Sequence, residues 1–244
     1  MLQINHISKT INGRKVLRDI SFSVQRGTIL GIIGHNGAGK TTLLRILTGL
    51  VLPDDDGYVE IDGQRIMYDS YEIRNKIGYM AEEGGIYKRL NIHDNLAFPL
   101  RFYPDIPDPE SRIKDGLERF DLADRQFERM GKLSAGMRRK VLFLKSVLHQ
   151  PDILLLDEPF NGFDVESRQT QLKFFARVKE DGGIVCISSH STGELEKICT
   201  NYLFIKEGKM IFTGSQNEVY QKINASGEEP LAAVYLKYME GPWT

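Results

Sequence analysis

The chain predicts an α/β fold with a largely parallel sheet and an antiparallel β layer ahead of it. Three features carry that prediction. Ile29-Leu30-Gly31-Ile32-Ile33, Ile153-Leu154-Leu155-Leu156 and Ile184-Val185-Cys186-Ile187 are continuous apolar runs of strand length, the pattern of strands covered on both faces. A helical segment near residues 167–178 separates the last two runs, and strand–helix alternation produces parallel pairing. Residues 2–7 and 20–24 instead alternate apolar and polar side chains, as half-buried strands do.

The elements follow in order. Gly13 and Gly27 punctuate the first strands, and residues 29–33 run into a glycine-rich loop followed by a helix over 41–48. Gly49 and Pro53 stop that helix. Asp54-Asp55-Asp56-Gly57 reads as a solvated hairpin entry rather than a metal cluster, because the alternating strand 58–61 and the tight turn Asp62-Gly63 come next. Another strand ends at Ile77-Gly78-Tyr79-Met80. From Asn91 to His149 helical periodicity dominates, broken by Pro99, Pro104, Pro107 and Pro109. Within it Leu142, Phe143, Val147 and Leu148 are expected in the core, and Arg138-Arg139-Lys140 on a solvated helix face. Residues 202–205 and 209–212 flank Glu207-Gly208 as a hairpin, and two short helices surround Ala225-Ser226-Gly227.

Composition narrows the function classes. The 244 residues are 41% hydrophobic and 27% charged, which excludes disorder as the dominant state. The 32 Lys and Arg against 33 Asp and Glu leave a formal net charge of −1. Nucleic acid is therefore not an expected partner, since its binders usually show a basic excess. Cys186 and Cys199 show no CxxC spacing and are expected to be reduced. The first residues, Met1 to His6, lack a basic region followed by an apolar stretch, so no signal peptide is expected. No window approaches 18 consecutive apolar residues, so membrane crossing is left to another chain.

The glycine-rich loop is Gly34-His35-Asn36-Gly37-Ala38-Gly39-Lys40-Thr41-Thr42. It fits G-x-x-x-x-G-K-[ST] in the required setting of strand, loop and helix. Glycines let successive backbone N–H groups turn inward around an anion. The helix that follows points its positive end at the same place. Lys40 brings a mobile cation to the β- and γ-phosphates, and the Thr41 hydroxyl is a Mg²⁺ ligand. Far downstream, Asp157 and Glu158 stand just beyond the apolar run 153–156. Asp157 is suited to hold Mg²⁺, and Glu158 to orient or deprotonate an attacking water.

Leu133-Ser134-Ala135-Gly136-Met137 begins 24 positions before Asp157. In this order the segment resembles the signature motif of the ATP-binding cassette (ABC) family, which reads Leu-Ser-Gly-Gly-Gln; Ala135 and Met137 depart from it. Asn161-Gly162-Phe163-Asp164 looks like the family's D-loop, and Ser188-Ser189-His190 like its switch histidine. The resemblance spans residues 2 to 240. It implies a P-loop NTPase (RecA-like) core, α/β, with an antiparallel β subdomain and an inserted α-helical subdomain. The nucleotide-binding domain would cover 1–215, with the helical subdomain at about 85–149 and a short helical tail at 216–244.

By the same resemblance the ligands are ATP and Mg²⁺, and the chain is an ATPase. Residues 34–42, Ile11, Val16, Glu82, Ser134, Gly136 and Asp164 would contact the nucleotide. Lys40, Glu158 and His190 would carry hydrolysis, and Thr41, Asp157 and Glu82 the metal. Two of these depart from the family pattern: Ile11 stands near the usual adenine-stacking aromatic residue, and Glu82 stands for the Q-loop glutamine. The partners implied are a second copy, head to tail, with Ser134 and Gly136 acting in trans, and membrane-spanning permease subunits. The location implied is the cytoplasmic face of the cell membrane. Met137 and the ending Leu231-Ala232-Ala233-Val234-Tyr235-Leu236-Lys237 resemble bacterial ABC-2-type exporters. A soluble ABC ATPase driving assembly or signalling is the alternative. The long-coiled-coil branch is disfavoured, because only 50 residues with four prolines separate Glu82 from Leu133.

Overall fold

The computed structural model describes residues 1–54, 56–67, 75–222 and 229–240. Asp55 and the expected linker Ala225-Ser226-Gly227 lie outside the described residues.

Two sheets form. The smaller has four antiparallel strands in the order β2-β1-β4-β5: β1 (Leu2–Ile11), β2 (Arg14–Val24), β4 (Tyr58–Ile61) and β5 (Gln64–Arg65). The larger has six, in the order β10-β9-β3-β8-β7-β6. These are β3 (Thr28–Ile33), β6 (Ile77–Met80), β7 (Ile153–Asp157), β8 (Ile184–Ser189), β9 (Asn201–Lys206) and β10 (Lys209–Ser215). All its pairings are parallel except the β9–β10 hairpin at one edge.

The unbroken apolar runs are explained by the two cores. Side chains alternate across a strand, so Ile29, Ile33, Leu154, Leu156, Val185 and Ile187 enter one core, while Leu30, Ile32, Ile153, Leu155, Ile184 and Cys186 enter the other. The second core is closed by Leu43, Leu44, Ile46 and Leu47 of α1 (Lys40–Leu47) and by the small sheet. The first is closed by α2 (Ile92–Leu100), α3 (Pro109–Arg119), α4 (Ala135–Val147) and α5 (Val165–Glu180). Phe120, Phe143, Phe163 and Phe174 pack there, with ring centroids 5.5–6.4 Å apart. After the short helix α6 (Thr192–Leu195), the chain ends in α7 (Gln216–Lys222) and α8 (Leu231–Glu240). Tyr238 of α8 is fully buried against Phe204 and Phe212 of the edge hairpin.

Two sequence expectations are corrected. Asp54 is not merely a solvated turn residue: it pairs with Lys9 at 2.8 Å and accepts from the Thr10 amide, which ties it to β1. Arg138, Arg139 and Lys140 do not form a solvated face. All three are half-buried, and their side chains donate to carbonyls of Leu133, Glu82, Glu158 and Phe120. Arg139 reaches the loops after β6 and β7, Arg138 turns back on Leu133 just ahead of α4, and Lys140 reaches the end of α3.

Candidate functional site

Four neighbouring strands, in the order β3, β8, β7 and β6, run parallel. Their carboxyl ends therefore open on one edge, where open α/β sheets bind ligands. The glycine-rich loop leaves β3, His190 follows β8, Asp157 and Glu158 close β7, and Glu82 follows β6. The sheet thus gathers residues up to 154 positions apart in sequence, from Asn36 to His190. They line an open cleft of about 340 Å³ with Val16, Asn36, Gly37, Ala38, Gly39, Lys40, Thr41 and Thr42.

The floor of the cleft is built for an anion. Gly39 caps α1 at φ 109° with no side-chain hydrogen bond to the first helical amides. A Cβ there would meet the Leu17 side chain at 2.7 Å and the Val16 carbonyl at 3.0 Å, so only glycine lets the loop close against β2. The unpaired amide donors at that helix end face the cleft. Lys40 is buried, and its Nζ donates to the Gly34 carbonyl at 2.6 Å and the His35 carbonyl at 3.3 Å. Burial lowers its pKa, while the carboxylates of Glu158, Asp157 and Glu82 work in the opposite direction. The loop is held from behind by the β9–β10 turn: Gly208 donates its amide to Ala38 and accepts from the Arg18 amide.

The acid wall is ordered by β8. Asp157 is fully buried; its Oδ1 accepts from the Ser188 hydroxyl, and its Oδ2 has no partner among the described residues. An unpaired buried carboxylate oxygen, beside the Thr41 hydroxyl and the Glu82 carboxylate in one cleft, is a hard-oxygen donor set that fits Mg²⁺. Among the described residues no group of three or more His, Cys, Asp or Glu side chains forms a metal cage.

Glu158 adopts φ 49°, a left-handed conformation that costs a non-glycine residue about 1–3 kcal/mol. Its amide donates to the Ser188 carbonyl at 3.0 Å, and its carboxylate takes the Ser189 hydroxyl at 3.3 Å. His190 Nδ1 lies 3.0 Å from its Oε1. A carboxylate held this way, next to an imidazole at the cleft rim, can accept a proton from a water in the cleft.

The remaining sequence candidates lie elsewhere. Ile11 ends β1, is 41% exposed and does not line the cleft, whereas Val16 does. Ser134 is exposed and caps α4, its Oγ accepting from the Met137 amide at 3.1 Å. Gly136 lies against the loop before α5; a Cβ on it would come within 2.8 Å of the Gly162 carbonyl. Asp164 caps α5 through the Ser167 amide at 2.7 Å and pairs with Lys140 at 3.0 Å. These bonds, the Ser167 amide foremost, hold its carboxyl below the usual carboxylate range. Sequence reading missed Ser188 and Ser189 as supports of the acid pair, and Arg139 entirely; only its place in a basic run was visible.

The ABC transporter family model matches residues 17–161, which is more than half of the chain. This chain belongs to the ABC transporter family. A Methanocaldococcus jannaschii protein described as an uncharacterized ABC transporter ATP-binding protein is 34% identical, over 98% of this chain and 83% of its own. The ABC transporter ATP-binding protein NatA of Bacillus subtilis is 34% identical over 85% of each chain. The lipopolysaccharide export system ATP-binding protein LptB of Escherichia coli is 31% identical over 96% of each. A solved ATP-binding subunit of an ABC transporter superposes with a TM-score of 0.91 at 25% identity, covering 98% of this chain and all of the other. The chain is accordingly an ABC-type ATPase, the ATP-binding subunit of an ABC transporter. No helix among the described residues is long and apolar enough to cross a membrane.

Proposed function

We propose that this ABC subunit powers export through separate membrane-spanning permease subunits. It would do so as a head-to-tail pair held at the cytoplasmic face of the membrane by those partners. Residues 85–149 would form the helical subdomain that passes motion to the permease, with 216–244 as a tail on the core. The observation that carries the pair is the position of Ser134 and Gly136, outside their own cleft at an exposed helix start. An exposed helix N-terminus is a ready anion site, and in a head-to-tail pair it would meet the γ-phosphate bound by the second copy. Export is supported by the relative named for lipopolysaccharide export.

Hydrolysis needs positioning and charge compensation more than covalent chemistry. Residues 34–42 would cradle the phosphates, with Lys40 exchanging its two carbonyl partners for phosphate oxygens. Val16 would contact the base or ribose. Glu158 would take a proton from water as the water oxygen bonds to the γ-phosphorus and the bond to the β-phosphate oxygen breaks. His190, bound to Glu158 through Nδ1, would donate from Nε2 to the developing charge. Thr41, Asp157 and Glu82 would hold Mg²⁺, which supplies charge neutralisation of the phosphates when bound. Asp164 would shape the loop facing the second copy through its cap and Lys140 rather than touch nucleotide itself.

The test has two arms. Light scattering on Glu158→Gln with saturating ATP and Mg²⁺ should show a doubled mass that reverts after nucleotide removal. Tagged chain taken from native membranes should bring down a multispanning protein that stimulates its ATPase. A monomer at saturating ATP refutes the pair, and a fully active chain with no membrane partner refutes the transport coupling.

A further inference from the structure

The Arg139 guanidinium sits between two loops that the sheet brings side by side. Nη1 donates to the Glu82 carbonyl at 2.5 Å and the Ala81 carbonyl at 3.3 Å. Nη2 donates to the Glu158 carbonyl at 2.5 Å and the Asp157 carbonyl at 3.5 Å. One planar fork therefore joins the ends of β6 and β7, and it does so from the second turn of α4, whose first residues carry the Leu133–Met137 segment. Only arginine offers two donor edges in fixed geometry, since a lysine ammonium is a compact point charge. The group is half-buried, and burial lowers its pKa against the pull of Glu82, Asp157 and Glu158.

Glu158 is the residue whose backbone most needs support. Its left-handed φ is held at the amide by β8 and at the carbonyl by Arg139 at 2.5 Å, with a longer bond from the Asn161 amide at 3.4 Å. Without Arg139 the Glu158 carbonyl would keep only the long Asn161 bond, and the carboxylate would be less firmly set beside His190. The same fork fixes the carbonyl of Glu82, the other acid of the cleft.

We propose that Arg139 is a positioning residue for hydrolysis: it sets Glu158 and Glu82 from the α4 side and so ties the orientation of the helical segment to the competence of the acid wall. This rests on the reading of Glu158 as the general base. Loss of the fork should lower turnover with little effect on nucleotide binding, because the phosphate loop is built on β3 and α1 and does not touch Arg139. A misplacement of the base by about 1 Å is enough for a loss of roughly 10–100-fold.

The experiment uses the full chain, with its permease where activity requires it. Wild-type ATPase activity and its loss in Glu158→Gln are measured first; failure there rejects the general-base reading and not the role of Arg139 in particular. Arg139→Met should then lower kcat roughly 10–100-fold with KM for ATP unchanged within about twofold. In the Glu158→Gln background, followed in single-turnover mode, the same substitution should lose most of that effect, because residues acting as one unit are not additive. Arg139→Lys keeps charge and stem but serves only one loop, and should fall between the two. Wild-type kcat in Arg139→Lys, a raised KM at constant kcat, or an undiminished loss on top of Glu158→Gln would each overturn the proposal. If Arg139→Met does not fold by thermal melting, the lysine variant and its cycle with Glu158→Gln decide the matter alone.

Discussion

His190 Nδ1 and Glu158 Oε1 are 3.0 Å apart, joining the ends of two adjacent parallel strands across the rim of the cleft. The carboxylate is 7% exposed and the imidazole 57%. The pair therefore has a buried member and an exposed one. The buried acid is set by Ser188, Ser189 and Arg139, while the histidine stands exposed at the rim.

Glu158→Gln keeps the shape of the side chain and removes its basicity. Hydrolysis should slow by roughly 10²–10⁴-fold, the usual range for loss of an acid–base group. ATP affinity should be preserved, as read by equilibrium binding of a fluorescent nucleotide. Near-normal turnover contradicts the assigned role.

Lys40→Ala acts on binding itself. The ammonium sits within the loop on two backbone carbonyls, and a charged hydrogen bond to phosphate contributes about 1.5–3 kcal/mol. The dissociation constant for ATP should rise by roughly 10–100-fold. An unchanged constant would remove Lys40 from the phosphate site.

Glu82→Gln restores an amide where this chain carries a carboxylate. The cleft then holds two acids, Asp157 and Glu158, instead of three. Hard carboxylate oxygen binds Mg²⁺ better than amide oxygen does. The Mg²⁺ concentration for half-maximal ATPase activity should therefore rise several-fold. Identical Mg²⁺ titrations for the two proteins would show that Glu82 does not touch the metal.

His149 couples stability to pH far from the cleft. Its ring stacks on Tyr103 with centroids 4.4 Å apart, and Nε2 donates to the Ile77 carbonyl at 3.1 Å. Burial holds its pKa down to about 4, with the Ile77 bond opposing. The unfolded chain takes up a proton near pH 6.5 while the folded one does not. The contribution is thus complete above that pH and is lost as pH falls toward 4, by about 3 kcal/mol in all. Urea unfolding at pH 7 and pH 5 should show the drop, and His149→Gln should flatten it. Equal slopes in both proteins would exclude the coupling.

The parallel sheet, the phosphate loop and the acid pair were legible in local pattern, because each is a short run of defined chemistry. The apolar strands read clearly because both faces are buried, and the glycine-rich loop because its spacing answers one ligand geometry. The basic run 138–140 was misread for the opposite reason. Charge patterning on a helix records solvent exposure only when nothing packs there, and here carbonyls of the loops after β6 and β7 meet Arg139 while those of Leu133 and Phe120 meet its neighbours. Asp54 was misread in the same way, since its partners Lys9 and Thr10 lie 45 and 44 positions upstream.

Amino-acid order alone determined which chemical groups exist and on which local elements they ride: an anion-binding loop, two adjacent carboxylates, a helix start with small residues, a histidine after a strand. Tertiary structure decided which of them meet. The strand order β3-β8-β7-β6 places four loop ends along one edge, which brings Lys40, His190, Glu158 and Glu82 into one cleft and leaves Ser134 and Ile11 outside it. Strand order depends on which apolar faces bury together over long separations, and a linear pattern of polar and apolar residues carries no record of that pairing.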